Sequence, residues 1–215
     1  MTVGEFSAEM DVIYENINKN GAPGLDSYEK SVILSHAQEL LVKETLKVDP
    51  SAMQFPQLIT TSENSTPSAN GFSWGTIFPM VTGLLSILNE TVTDSNGTVH
   101  TVLPINQTQF DIYQSTPYKY PPRRRAWRIS GLSSTVNSVE LFGRPNTTLT
   151  TYKVRYVKKP EPIILSTLSS PDSIDGKTAV TTSLLDAGLH RDILKIAVTL
   201  AESYYYDKYG TDGNK

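Results

Sequence analysis

The fold of this chain is decided by residues 84–104, LLSILNETVTDSNGTVHTVLP. Its two arms are rich in Thr, Val, Ile and Leu, and the β-branched residues among them favour strands. Between the arms lies DSNG at 94–97, and an Asn-Gly pair tolerates the positive φ angles that a tight hairpin turn requires. The stretch therefore predicts two antiparallel strands, Leu84–Thr93 and Thr98–Pro104.

The same composition extends over residues 55–165, where short runs rich in Thr, Val, Ile, Tyr and Phe are separated by Pro, Gly and Asn. In contrast, Thr60–Gly75 is polar and rich in small residues, which is typical of a loop, and residues 166–182 form a second loose stretch. We expect the β region to form a central antiparallel sheet or a sandwich. The further predicted strands are Phe110–Gln114, Ala126–Ser130, Ser138–Phe142 and Tyr152–Tyr156.

Two helices are predicted in the first 50 residues. The first has apolar residues at helical spacing, at Phe6, Met10, Ile13 and Ile17. Gly21 is suited to end it. Asp26 and Glu29 form a capping-box pattern at the start of the second helix, and Asp49-Pro50 ends it. Residues 1–50 are therefore predicted to form an αα-hairpin.

The second helix is predicted to carry one apolar and one polar face. The apolar residues are Ile33, Ala37, Leu40 and Leu41, and those towards the other face are Ser31, Ser35, Gln38 and Lys43. A C-terminal helix is predicted over residues 183–207, capped by Asp186. We expect it to pack back on the N-terminal helices through an apolar stripe of Leu189, Ile193, Ile196, Ala197, Leu200 and Tyr204. The whole pattern predicts an α+β protein with a single domain, residues 1–215.

Composition and motifs argue against several functional classes. The chain has no cysteine, so it has no disulfide and no thiolate nucleophile. Its start, MTVGEFSAEMDVIYEN, lacks the features of a secretory signal, and the longest apolar stretch, Ile77–Leu88, is shorter than the ~20 residues of a spanning helix. We therefore expect synthesis inside the cell and no membrane partner.

Known catalytic and cofactor motifs, such as H-E-x-x-H, G-x-S-x-G and the glycine-rich phosphate loops, do not occur in the sequence. His36 and His190 are interpreted as surface or capping residues. Asp172 and Asp175 are interpreted as turn residues, because the other oxygen ligands of a calcium loop are missing. We predict that the protein is not an enzyme and has no cofactor and no metal site.

Charge is strongly segregated along the chain, although the net charge is only -3. Residues 51–118 contain no Lys or Arg, whereas residues 119–160 contain ten against one acid, Glu140. The helical ends are acidic. An acidic helical part and a basic β part in one subunit favour head-to-tail contacts between copies, which generate rings when the rotation closes.

The basic segment is densest at residues 118–128, YKYPPRRRAWR. One interpretation is a functional surface that contacts an acidic patch on another subunit or, less favoured because the chain is acidic overall, nucleic-acid phosphates. The other is a solvated loop that leads into an edge strand, with Trp127 turned inward. The candidate interface or DNA-facing residues are Lys119, Arg123, Arg124, Arg125, Trp127, Arg128, Lys158 and Lys159.

Several sequence segments, taken together and in their order along the chain, resemble one family of virion proteins. These are the neck or ring proteins of crAss-like and related podovirus-type tailed phages. The segments are GAPGLDSYEKS at 21–31, LSHAQ at 34–38, PYKYP at 117–121, AWR at 126–128, YKVRYVKKPEPIIL at 152–165, and LHRDI at 189–193 followed by AV at 197–198.

The resemblance implies a structural virion protein that assembles in the host cytoplasm. Its expected place is a roughly twelvefold ring in the neck, where it docks the tail and helps to retain packaged DNA. The implied partners are further copies of the chain, the portal protein and the neighbouring neck or tail rings, with non-specific contact to DNA. The residues alone leave an alternative open, a DNA-binding accessory protein that uses segment 119–160.

Overall fold

We describe the protein from a computed structural model, which defines residues 1–17, 24–69, 71–116, 119–129 and 137–209. The helices in chain order are α1 (Val3–Ile17), α2 (Ser27–Val48), α3 (Gln107–Ser115) and α4 (His190–Tyr209). The strands are β1 (Ile59–Asn64), β2 (Ser68–Ala69), β3 (Gly75–Pro79), β4 (Leu84–Asp94), β5 (Val99–Pro104), β6 (Arg125–Ile129), β7 (Ser138–Phe142) and β8 (Leu149–Lys158). The predicted α+β class is confirmed.

The chain forms two compact units. The helical unit consists of Met1–Leu58 and Lys159–Lys215, and the sheet unit consists of Ile59–Lys158. The expectation of a single domain over residues 1–215 stays a prediction. Within the described residues, no helix combines the length and the apolarity needed to cross a bilayer.

The helical unit is built on the predicted capping box of α2. Asp26 accepts the N–H of Glu29 at 2.7 Å, and the Glu29 side chain accepts the N–H of Asp26 at 3.1 Å. Such reciprocal bonds satisfy backbone donors that a helix start leaves unpaired. Helix α4 contacts both α1 and α2, as predicted. The fully buried side chains of these helices include Phe6, Met10, Leu34, Ala37, Ile193 and Ala197.

Part of the predicted polar face of α2 is buried, which the sequence did not indicate. Ser31 and Ser35 each accept a backbone N–H of the segment Glu161–Leu165 at 3.0 Å, and Gln38 donates to a carbonyl of the same segment at 2.7 Å. The segment makes one isolated β-bridge of its own, from Ile164 to Thr181. The polar stripe of α2 is therefore a binding surface for extended backbone inside the unit.

His36 is exposed as expected, and His190 is the C-cap of the 3₁₀ turn Ala187–Leu189, but the prediction that His190 could be a surface residue is wrong. His190 is 4% exposed and its ring lies 5.1 Å from that of Phe6. Burial lowers the pKa of His190, although a hydrogen bond with the Leu185 carbonyl acts in the opposite direction. The predicted cap Asp186 accepts the N–H of Gly188 in the short 3₁₀ turn that leads into α4.

The sheet unit contains one eight-stranded sheet in the order β1-β8-β4-β5-β6-β7-β3-β2. All neighbouring strands are antiparallel except β5 and β6, which are parallel. The predicted hairpin is present between β4 and β5, where Gly97 has a φ of 77° and donates its N–H to the Asp94 carbonyl at 3.0 Å. The strands predicted at 126–130, 138–142 and 152–156 correspond to β6, β7 and β8, with Ser130 outside the described residues.

The predicted strand Phe110–Gln114 is wrong, because these residues belong to α3. Asn106 accepts the N–H of Gln109 at 2.7 Å, and the Gln109 side chain accepts the N–H of Asn106 at 3.1 Å. This second capping box starts a helix in spite of the aromatic and β-branched residues that suggested a strand.

The predicted loop Thr60–Gly75 is also wrong in part, because it contains β1 and β2. Both are edge strands of the sheet, and Thr61 and Glu63 of β1 are exposed. Polar residues are common on edge strands, since these strands face water and must avoid pairing with other chains. The polar composition that suggested a loop is therefore explained by the position at the edge.

The sheet carries apolar residues on both faces. One face holds the inner cluster, Phe78, Val92, Val102, Ala126, Val139, Leu141, Leu149, Tyr152, Val154 and Tyr156. The other holds the outer cluster, Phe110, Trp127, Ile129 and Phe142 with the partly buried Phe72, Trp74, Leu103, Ile105 and Tyr113. Phe110 of α3 packs on Phe142 with ring centroids 4.5 Å apart. Helix α3 thus covers the outer cluster, and the basic segment lies beside it.

Candidate subunit-interface surface

Three arginines project from a tight turn, Pro122–Arg125, which we call the basic turn. The N–H of Arg125 donates to the Pro122 carbonyl at 3.0 Å and closes the turn. Arg124 has a φ of 60°, a left-handed conformation that costs a non-glycine residue about 1–2 kcal/mol. Its carbonyl accepts the N–H of Thr101 on β5 at 3.0 Å. Strand pairing therefore holds the turn in shape against this local strain.

The side chains of the basic turn face solvent. Arg123, Arg124 and Arg125 are exposed, and none of them forms an ion pair with another residue that the structure describes. Guanidinium groups form paired hydrogen bonds with carboxylates and phosphates. Three unpaired guanidinium groups among the described residues are chemically suited to an anionic surface.

An open cleft of about 490 Å³ lies next to the basic turn, and we call it the aromatic cleft. Its walls come from β5, α3, β6 and the segment that leads into the turn. Lys119 is exposed, and its Nζ lies 5.2 Å from the centre of the Tyr113 ring. The lining residues are Leu103, Pro104, Ile105, Gln109, Tyr113, Lys119, Tyr120, Pro122 and Trp127.

Trp127 also belongs to the outer cluster and is only 5% exposed. Its ring lies 4.8 Å from that of Tyr113 and 6.3 Å from that of Trp74. Tyr120, in contrast, is 41% exposed at the rim. The structure therefore turns Trp127 inward, as one of the two interpretations expected, where it supports the cleft that the exposed residues border.

Arg128 has a different environment from the arginines of the basic turn. Its Nη1 lies 3.1 Å from Oε1 of Glu90, and the two side chains are 15% and 5% exposed. Tyr152 donates its hydroxyl to the same carboxylate oxygen. Burial raises the pKa of Tyr152, and the bond to Glu90 raises it further. Arg128, Glu90 and Tyr152 form what we call the buried triad, which uses the charge of Arg128 inside the sheet unit.

The last two interface candidates, Lys158 and Lys159, are also less accessible to a partner than the arginines of the basic turn. Lys158 is half-buried at the end of β8. Lys159 lies 2.8 Å from Asp175 and 3.2 Å from Glu39, both in the helical unit. The bond to Asp175 raises the pKa of Lys159, burial opposes the rise, and the bond to Glu39 adds to it. Hydrogen bonds from Lys43 and Lys159 lower the pKa of Glu39 against an opposing effect of burial.

The sequence interpretation of Asp172 and Asp175 is that they are turn residues and not the ligands of a cation site. The structure agrees with that interpretation. Asp175 has a φ of 51° in a tight turn where Ile174 and Lys177 exchange both backbone hydrogen bonds. Among the described residues, no three His, Asp or Glu side chains are grouped so that they could hold a metal ion. The arrangement that the structure does offer is an apolar cleft lined by one cation, Lys119, with the basic turn beside it, and such a surface suits recognition of an acidic partner.

Comparison with known proteins assigns the chain to a family. The model of the family described as Phage tail ring protein 3/4 matches residues 1–212. The chain belongs to this family. It is 38% identical to Ring protein 4/5 of Bacteroides phage crAss001, over 95% of this chain and 94% of that protein. It is 28% identical to Ring protein 3 of the same phage, over 94% of this chain and 95% of that protein.

This tail ring protein is thus a structural component of a phage tail, as the sequence resemblance suggested. The exposed cations among its interface candidates are Lys119 and the three arginines of the basic turn, whereas Arg128 and Lys159 are used internally. The cleft residues Gln109 and Tyr113 were missed in the sequence because α3 was taken for a strand. The signal that could have revealed them is the capping-box spacing of Asn106 and Gln109.

Proposed function

We propose that this ring protein is the subunit of a homo-oligomeric ring in the neck of the virion, between the portal and the tail. There it docks the tail, helps to retain the packaged DNA and catalyses no reaction. The ring is assembled in the host cytoplasm from roughly twelve copies. Its further partners are the portal protein and the neighbouring neck or tail rings.

The observation that supports this proposal best is the basic turn. Three exposed arginines that form no ion pair with the described residues stand on the sheet unit of a chain whose net charge is -3. A surface of one sign and an excess of the other sign elsewhere in the same chain favour contacts between unlike patches of neighbouring copies. Such head-to-tail contacts generate rings when the rotation between copies closes, rather than pairing two copies symmetrically.

Mass photometry and negative-stain microscopy of the purified protein, alone and with its portal protein, test the proposal. We expect closed rings, and we expect their docking on the portal to be resolved as a stacked assembly. A protein that remains monomeric under both conditions would contradict the proposal. The position of the chain in a reconstruction of the virion distinguishes the neck from a place further along the tail.

A second candidate function is DNA binding, because the exposed arginines could also contact phosphates. A protein that binds DNA in this way releases counterions, so its affinity falls steeply as the salt concentration rises. Titration of a fluorescent duplex at about 50 and 200 mM salt measures this dependence. Negligible affinity at the lower salt concentration excludes the alternative and leaves contact between subunits as the use of the basic turn.

A further inference from the structure

We propose that the basic turn and the aromatic cleft of one copy receive helix α1 of the next copy in the ring. The proposal rests on the homo-oligomeric ring proposed above and names the two surfaces that meet in it. It follows from the matching chemistry of these two surfaces.

The receiving surface combines positive charge with an apolar recess. Lys119, which lines the cleft, and the three arginines of the adjoining basic turn are exposed. Trp127 lies in the cleft and is almost fully buried, while Tyr120 is exposed at the rim. Arg and Tyr are the side chains that most often carry the binding energy of protein interfaces, particularly around a recess that excludes water. The surface therefore suits an acidic segment with a small apolar side chain.

Helix α1 presents such a segment. Between Val3 and Ile17 it has four acidic residues and no basic one. Glu5, Ala8, Glu9 and Val12 are all exposed, and their spacing places them on one face of the helix. Val12 is 59% exposed, so an apolar side chain lies at the surface between the acidic residues of this face. The opposite face of the helix, with Phe6 and Met10, is buried in the helical unit.

The other helices of the helical unit fit the receiving surface less well. Helix α2 exposes Lys43 and Lys47, and its Glu39 is already bound to two lysines. Helix α4 contains Arg191 and Lys195 as well as acidic residues. These cations would face the arginines of the basic turn, and like charges at an interface oppose binding. Within this unit, α1 is therefore the helix with the best charge complementarity.

The size of the cleft agrees with this occupant. Two small side chains one helical turn apart, Ala8 and Val12, can enter a recess of about 490 Å³ while Glu5 and Glu9 stay at its charged border. The exposed stripe from Glu5 to Val12 is about 10 Å long at the rise of an α-helix. Because the two surfaces lie on different parts of the chain, the contact is head-to-tail, as a ring requires.

An exchange of charges between two variants tests the inference. The turn variant carries Arg123→Glu and Arg125→Glu, and the helix variant carries Glu5→Lys and Glu9→Lys. Each variant alone would place like charges at every contact. We expect each to need at least about a tenfold higher protein concentration than the wild type for ring assembly.

Mixing the two variants restores opposite charges at each contact of an alternating ring. We therefore expect mass photometry to show rings in the equimolar mixture at the concentration where the wild type assembles, with the portal present if the wild type requires it. Circular dichroism establishes that each variant is folded. Because Glu5 accepts the N–H of Thr2 at 2.6 Å, the neutral variant Glu9→Gln with Val12→Ser provides a second test that spares the helix start.

The control variant is Arg144→Glu, which makes the same charge change at an exposed arginine in another turn of the sheet unit. We expect it to assemble like the wild type. Wild-type rings together with unimpaired turn and helix variants would overturn the inference and leave the proposed function intact. Impaired variants that mixing does not rescue would also overturn it, since the basic turn would then contact another surface or protein. Absence of wild-type rings would instead contradict the proposed function.

Discussion

Arg125 and Arg128 lie three residues apart in β6 and have opposite environments. Arg125 is exposed at the end of the basic turn, whereas Arg128 belongs to the buried triad and lies 3.1 Å from Glu90. Successive side chains of a strand point to opposite faces of the sheet, so an interval of three residues changes the face. Charge that looks continuous in the sequence is thus divided between an exposed turn and an internal ion pair.

The difference has consequences for how the +9 charge of residues 119–160 should be interpreted. Arg128 and Lys159 are paired with acidic residues of their own units, so we expect their removal to affect stability more than the recognition of partners. The basic turn has no such internal use among the described residues. Variants of the two kinds should therefore separate the stability of the protein from its assembly.

The largest effect is expected from truncation of the buried triad. The variant Arg128→Ala should lower the free energy of unfolding by about 3–5 kcal/mol, because it leaves the carboxylate of Glu90 buried without its cation. Urea unfolding followed by circular dichroism measures this loss. The matched control Arg125→Ala, in the same strand, should change stability by no more than about 0.5 kcal/mol. Equal losses in the two variants would show that the contrast between the two arginines is unimportant for stability.

A smaller effect is expected at a second buried pair, Asp94 and His100, in which Oδ2 of Asp94 lies 2.9 Å from Nε2 of His100. The bond from His100 lowers the pKa of Asp94 against the effect of burial, and the N–H groups of Thr98 and Asn96 add to it. A lowered folded-state pKa gives stability that is present at neutral pH and is lost as the pH falls through that pKa. The loss on mutation should be smaller than for Arg128, because histidine can give up its charge and arginine cannot.

The variant Asp94→Asn should therefore lower the Tm at pH 7 and reduce the further fall of Tm in acid. Differential scanning calorimetry between pH 7 and about pH 3 measures both quantities, since the range extends below the ordinary pKa of an aspartate. The exposed Asp172→Asn serves as control and should follow the wild type. Parallel Tm curves for Asp94→Asn and the wild type would contradict the assigned role of the carboxylate.

The smallest effect is expected inside the basic turn. Arg124→Gly and Arg124→Ala remove the same charge, but only glycine relieves the strain of the left-handed φ of 60°. The glycine variant should be more stable than the alanine variant by about 1 kcal/mol. Chemical denaturation of the two proteins side by side measures the difference. Identical stabilities would mean that the turn relaxes when the arginine is absent.

Local signals explain which parts of the fold were predictable. The capping box of Asp26 and Glu29 and the Asn-Gly turn at 96–97 each depend on a few adjacent residues, and both are present in the structure. The same type of signal at Asn106 and Gln109 was overlooked in favour of the composition of Phe110–Gln114, so α3 and one wall of the cleft were missed. Strands β1 and β2 were missed because edge position, not sequence, allows them to be polar.

The sequence by itself determined the α+β fold class, the helices at the two ends of the chain, the central hairpin and the concentration of positive charge in one segment. These features depend on neighbours within a few residues along the chain. Only the tertiary structure decided which cations are available to a partner. Whether a cation is exposed or paired depends on contacts such as that of Arg128 with Glu90, 38 residues away. It also depends on the turn at Arg124, which strand pairing holds in place. Such distant pairings leave no local pattern, because the chain must first fold to bring the two residues together.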